Sequence, residues 1–146
     1  MTFYSSTGGF YDMTIMLTVS ALGLLFGKYE TRFIALSAIA AYASNRVALY
    51  FADQNMQVAT QAICEGTLMM LIWVWCSDKT SRGFSGLYLV DLFIYAFFLN
   101  GIIGFETMAS ASLVIFYFQN LLILAGAVNG AVGSYRRRNG RSWCGG

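Results

Sequence analysis

Residues 56–76 read MQVATQAICEGTLMMLIWVWC, and the fold class turns on this stretch. It is long enough to cross a hydrocarbon layer as a helix, which takes about 20 mostly apolar residues. Its second half, LMMLIWVW, shows no alternation of apolar and polar side chains. A barrel strand, about 9–11 residues of strict alternation, therefore does not describe it. Polar clusters close the stretch on both sides, Asp53-Gln54-Asn55 before it and Ser77-Asp78-Lys79 after it. The reading is a membrane helix between tight polar turns.

Working outward, the same standard selects residues 10–27, 33–52, 84–105 and 110–134. The expected fold is an all-α integral membrane protein, a bundle of about five transmembrane helices with short loops. Residues 1–135 form its single helical domain and residues 136–146 a basic tail. Short turns make successive helices antiparallel. The chain contains no proline, so any helix break would have to come from glycine. The N-terminus lacks the basic stretch of a signal peptide, and the first apolar run is expected to stay in the mature protein. Composition agrees: 58% of residues are hydrophobic and 11% charged, against roughly 25% charged in soluble domains. Free in water, such a chain would expose large apolar patches.

The charges give an orientation. Lys28 and Arg32 follow the first span, Lys79 and Arg82 the third, and Arg136, Arg137, Arg138 and Arg141 the fifth. The other connections carry no Lys or Arg, and one holds Glu106. By the positive-inside rule the N-terminus is outside and the C-terminus cytoplasmic. With no targeting signal, a bacterial inner membrane is the expected location. The tail arginines are expected to meet anionic lipid headgroups rather than nucleic acid.

Ionisable groups inside a span are costly and mark functional positions by default. Arg46, Glu65 and Asp91 are such groups. At about 1.5 Å of rise per residue, Arg46 lies about 10 Å and Glu65 about 13 Å from the turn joining their helices. Equal depth on neighbouring helices predicts an Arg46–Glu65 ion pair, with Asn45, Gln57 and Gln61 extending it. Gln57, Gln61 and Glu65 share one helix face. The pair could be a packing device or a gate for a charged solute or proton. Arg46 could also snorkel toward Asp53. Asp91 has no cation at its depth; it could reach Lys79 or Arg82, carry a proton, or face a hydrated interior. Asn100, Gln119, Asn120 and Asn129 add neutral polarity, either as interhelical hydrogen bonds or as a polar lining.

Small residues form the other pattern. Gly23-x-x-x-Gly27 and Gly126-x-x-x-Gly130 let helix backbones approach closely, and the 33–52 segment is rich in Ala and Ser. The spacing leaves open whether those contacts lie within one chain or between copies.

Chemistry has little to work with. The chain has no His, and Cys64, Cys76 and Cys144 form no CxxC pair, so no metal site or cofactor is expected. No nucleophile elbow or phosphate loop is present, and an enzyme is not expected. The leading expectation is an oligomeric channel-like or carrier-like protein with a polar interior built on Arg46, Glu65 and Asp91. One alternative is a structural or assembly subunit of a larger membrane complex, its polar groups paired with partner helices. Another is a lysis protein, since a short polytopic chain with a basic tail resembles phage holins in outline, though five spans are many for that group.

Overall fold

The computed structural model describes residues 6–48 and 53–140, with side chains over 11–48 and 53–137. Among the described residues five helices follow one another: α1 (Ser6–Phe26), α2 (Tyr29–Ala48), α3 (Gln54–Trp75), α4 (Lys79–Leu99) and α5 (Phe105–Gly140). The described residues contain no strand. Helix α3, helix α4 and the Phe105–Arg137 part of α5 are long and apolar enough to cross a membrane. Helix α1 contributes a shorter apolar stretch, Tyr11–Phe26. The described part of α2 ends at Ala48, short of the apolar residues 49–52 that belong to the expected second span. Three such helices among the described residues, with no strand beside them, are compatible with embedding in a membrane.

Helix ends follow local chemistry. Expected at 84–105, the fourth helix instead runs Lys79–Leu99. Its start is set by Asp78, whose carboxylate accepts from the backbone N–H of Thr80 at 3.1 Å and of Ser81 at 3.3 Å. Its end is set by Gly101, at φ +71°. There the Gly101 N–H donates to the Phe98 carbonyl (2.8 Å) and the Ile102 N–H to the Phe97 carbonyl (2.9 Å). This left-handed cap ties up the last carbonyls, and glycine adopts it without a Cβ penalty. Asp53 similarly begins α3, accepting from the Asn55 N–H at 3.0 Å. Helix α5 runs on through Tyr135, Arg136 and Arg137 to Gly140, so the tail begins as helix. The Arg138 side chain, Arg141, and residues 49–52 of the expected second span lie outside the described residues.

The Asp78 cap makes a measurable prediction. Asp78→Ala should cost about 1 kcal/mol in unfolding of the purified protein, and Asp78→Asn should keep most of that. Equal losses in the two variants would mean that the charge, not the cap, matters.

Each helix packs on the next, and α5 closes back on α1. Helix α2 touches all four others, as its small side chains allow. An apolar core of Ile34, Ala35, Ile72, Phe84, Tyr88 and Ile123 fills the half of the bundle near the α3–α4 turn. A smaller cluster of Val58, Tyr95 and Met108 lies in the opposite half. Phe84 and Tyr88 meet edge to face at 5.2 Å, a favourable aromatic geometry. The exterior is apolar: Val74 is 79%, Ile63 72% and Leu25 69% exposed.

The glycines of the two small-residue motifs meet within the chain. A Cβ on Gly23 would lie 2.7 Å from Ile123 and 3.1 Å from Ala35. One on Gly126 would lie 2.6 Å from the Thr31 hydroxyl, and one on Gly27 2.7 Å from the Thr31 side chain. One on Gly130 would strike the backbone carbonyl of Phe26. The motifs thus form the α1–α5 seam, with Thr31 of α2 wedged against it.

Candidate functional site

The bundle holds a cavity of about 360 Å³, to which every described helix contributes and which is lined in part by Ile123, Val58, Tyr95 and Met108 of the two apolar clusters. It extends from the level of Gln119 and Ile123 up to Asp12, Asn45, Gln57 and Phe105. Helix α3 supplies Gln57, Gln61 and Glu65, the face expected from their spacing of four. Helix α4 supplies Asp91 and Tyr95, again four apart. Helix α5 supplies Ser112, Gln119 and Asn120, and α2 supplies Tyr42 and Asn45. Three carboxylates, Asp12, Glu65 and Asp91, line the cavity, and no Lys or Arg does among the described residues.

Glu65 is 6% exposed and Asp91 4%. The Tyr95 hydroxyl donates to Glu65 Oε1 at 3.1 Å. The Ser112 hydroxyl donates to Asp91 Oδ1 at 2.9 Å. Nearer the mouth, the Tyr117 hydroxyl donates to Asp12 Oδ1 at 3.0 Å, linking α5 to α1. Three buried polar atoms of cavity-lining residues have no hydrogen-bond partner among the described residues: Glu65 Oε2, Gln119 Nε2 and Asn120 Oδ1. Buried polar groups are nearly always satisfied. Their residues line the cavity, but the atoms themselves are packed within the protein, where an unmet hydrogen bond is a cost to the fold.

The expected Arg46–Glu65 ion pair does not form. Arg46 turns along its own helix: its Nε donates to the Tyr42 hydroxyl at 2.9 Å, and Nη2 approaches the same oxygen. The guanidinium lies 4.9 Å from the centre of the Tyr42 ring, within cation–π range. Equal depth is necessary for pairing, but the two side chains also have to leave their helices in facing directions. Glu65 faces α4 and meets Tyr95, while Arg46 is held by a residue one helical turn away. Arg46 therefore stands behind a cavity-lining tyrosine rather than against the carboxylate.

Asn45, Gln61, Gln119, Asn120 and Asp91 all come to the cavity. Asn100 does not; it caps α4 and its Nδ2 donates to the Ala96 carbonyl at 2.8 Å. Asn129 is exposed. Sequence reasoning passed over Tyr42, Tyr95, Ser112 and Asp12. The first two carried a usable signal, since Tyr42–Arg46 and Asp91–Tyr95 each have the spacing that places two side chains on one helix face. Ser112 and Asp12 reach the site only through the packing of α5 and α1.

The cavity can attract and hold positive charge. Like charges in a low-dielectric interior repel, and Glu65 and Asp91 interact electrostatically. A cation or proton between them relieves that repulsion. Among the described residues no group of three or more His, Cys, Asp or Glu is arranged to hold a metal ion. Compared with protein families, with curated proteins and with solved structures, the chain matches none.

Proposed function

We propose that this chain is a polytopic membrane protein that carries or conducts cations through its carboxylate-lined interior, self-associated as a channel-like or carrier-like assembly. The observation that carries this reading is the cavity lining, which holds the carboxylate residues Asp12, Glu65 and Asp91 and, among the described residues, no Lys or Arg. Intramembrane carboxylates facing a bundle interior mark ion and proton paths in general. All five helices cross the bilayer in this reading. Helices α1 and α2 span in company with the others, α1 against α5 and α2 touching every neighbour. The N-terminus lies outside and the tail in the cytoplasm, as the alternation of basic turns supports. Exposed Tyr29, Trp73, Trp75 and Tyr135 crowd the end that carries Lys28, Lys79, Arg82 and Arg136, as residues at a headgroup layer do. Five helices make a thin wall for a complete path, which favours self-association.

The test is flux in proteoliposomes. Potential-driven uptake of protons or K⁺ should exceed that of protein-free vesicles. Glu65→Gln and Asp91→Asn should each lower it roughly tenfold, equivalent to about 1.4 kcal/mol, with equal protein per vesicle. Uptake equal to that of protein-free vesicles, or uptake untouched by both substitutions, would overturn the proposal. Loss of a co-purifying membrane partner in the same variants would instead favour an assembly subunit.

A further inference from the structure

One amide in the apolar stretch of α5 points out of the bundle, that of Asn129. We propose that this face of α5 is where two copies of the chain meet in the membrane, parallel and related by a two-fold axis, with their Asn129 amides hydrogen-bonded to each other. The proposal rests on reading the chain as a self-associated bundle that spans a bilayer, and adds the face and the contact. Three observations carry it.

The first is depth. Asn129 is exposed beside Val128 and Val132, themselves 54% and 46% exposed. It lies seven residues before Arg136, so about 10 Å into the hydrocarbon from the basic end of α5. A lysine or arginine can return its charge to the headgroups over such a distance along a long stem. Asparagine has one methylene and cannot. An amide left unpaired at that depth is costly.

The second is how neighbouring groups avoid that cost. Asn100 and Asn120 each donate Nδ2 to the carbonyl four residues back, both at 2.8 Å. The hydroxyls of Thr67, Ser110 and Ser134 do likewise, at 2.8, 2.8 and 2.9 Å. Asn129 makes no hydrogen bond of this kind, and its side chain has no partner among the described residues.

The third is room for a partner. Ala125 and Gly133 lie four residues either side of Asn129, on the same face. Ala125 is exposed, and a Cβ on Gly133 would meet nothing within 4 Å. The adjacent face of α5 is already occupied, Gly126 against Thr31 and Gly130 against Phe26. Short side chains around Asn129 let a second helix come close enough for two short amides to meet. A second copy in the same orientation carries its own Asn129 at the same depth. An amide holds both a donor and an acceptor, so across a two-fold axis each Nδ2 donates to the other copy's Oδ1. A single asparagine in an apolar helix seam fixes register and copy number in this way.

The experiment is energy transfer between donor- and acceptor-labelled full chains in proteoliposomes, followed as the protein is diluted in lipid. The parent protein should show transfer well above that of randomly mixed monomers. Asn129→Leu should need roughly tenfold more protein per lipid for half-maximal transfer, as expected for two lost interhelical hydrogen bonds. Asn129→Gln, which keeps donor and acceptor, should recover part of that. Ala125→Leu should weaken association at least as much by blocking the approach, whereas Ala43→Leu, at an exposed position of α2, should leave it unchanged. All these side chains lie outside the packed core, so each variant should keep the helix content of the parent. Transfer in the parent no higher than that of random monomers would overturn the proposal. So would association that Asn129→Leu and Ala125→Leu both leave untouched, which would put the contact on another face. Association weakened by Asn129→Leu, with no cation uptake by the parent, would leave the dimer standing and overturn the cation reading. Cation uptake by a parent protein that stays monomeric would do the reverse.

Discussion

Gly130→Ala is expected to destabilise the bundle by about 2–3 kcal/mol, the upper range for overpacking a filled interface. The new Cβ meets the Phe26 carbonyl and stands 3.2 Å from the Gly27 Cα. These are backbone atoms, which cannot turn aside as a side-chain tip can. Relief requires α1 and α5 to move apart, and that loosens the Gly23–Ile123 and Gly126–Thr31 contacts along the same seam. The intrinsic preference of helices for alanine, about 1 kcal/mol over glycine, recovers part of the loss. Gly133 provides the control, because its Cβ would meet nothing within 4 Å. There Gly133→Ala should be neutral or stabilising by up to about 1 kcal/mol. Unfolding of both purified variants, with accumulation in membranes as a second readout, decides the matter. Equal behaviour at the two positions would mean that the α1–α5 seam is not a close contact in the folded protein.

Glu65→Gln is expected to move stability the other way. Near pH 9, where exposed carboxyl groups are ionised, the variant should be more stable than the parent by about 1–3 kcal/mol, the desolvation cost of an unsatisfied buried polar group. Glutamine keeps the shape and keeps an oxygen for the Tyr95 hydroxyl, but removes a buried carboxylate that meets no Lys or Arg of the cavity lining among the described residues. A member of a buried ion pair would behave oppositely, since removing one partner typically costs about 3–5 kcal/mol. Combining Glu65→Gln with Arg46→Met gives a second check. Residues that do not pair should show additive effects to within about 0.5 kcal/mol. A destabilised Glu65→Gln protein together with strong coupling to Arg46 would restore the ion pair and remove the basis for a solute-facing carboxylate. The expected gain in stability, together with lower flux, would mark Glu65 as a position kept for function at a cost to the fold.

Several features were legible from residues alone because they rest on local physics. Runs of apolar side chains too long and too unbroken for strands had to be helices, whereas the start of α4 was missed because Asp78 was read only as part of a polar turn and not as the acceptor that begins a helix. The face shared by Gln57, Gln61 and Glu65 follows from 3.6 residues per turn, and those side chains do line one cavity. The end of α4 was missed although Asn100-Gly101 is a legible cap signal, because the apolar Ile102 and Ile103 beyond it prolonged the hydrophobic run.

Partnership was a different matter. Helical rise gives the height of a residue, and height alone put Arg46 opposite Glu65. Direction around the helix axis is set by how neighbouring helices rotate and cross, which depends on every contact in the bundle at once. The small side chains of α2 let that helix touch all four others, and Glu65 came to face α4 and the Tyr95 hydroxyl. The same packing brought the two glycine motifs together within one chain, a choice their spacing left open. Linear order thus decided the level at which each polar group lies along its helix. Tertiary packing decided which of them meet, because only the rotation of each helix about its own axis turns equal height into contact.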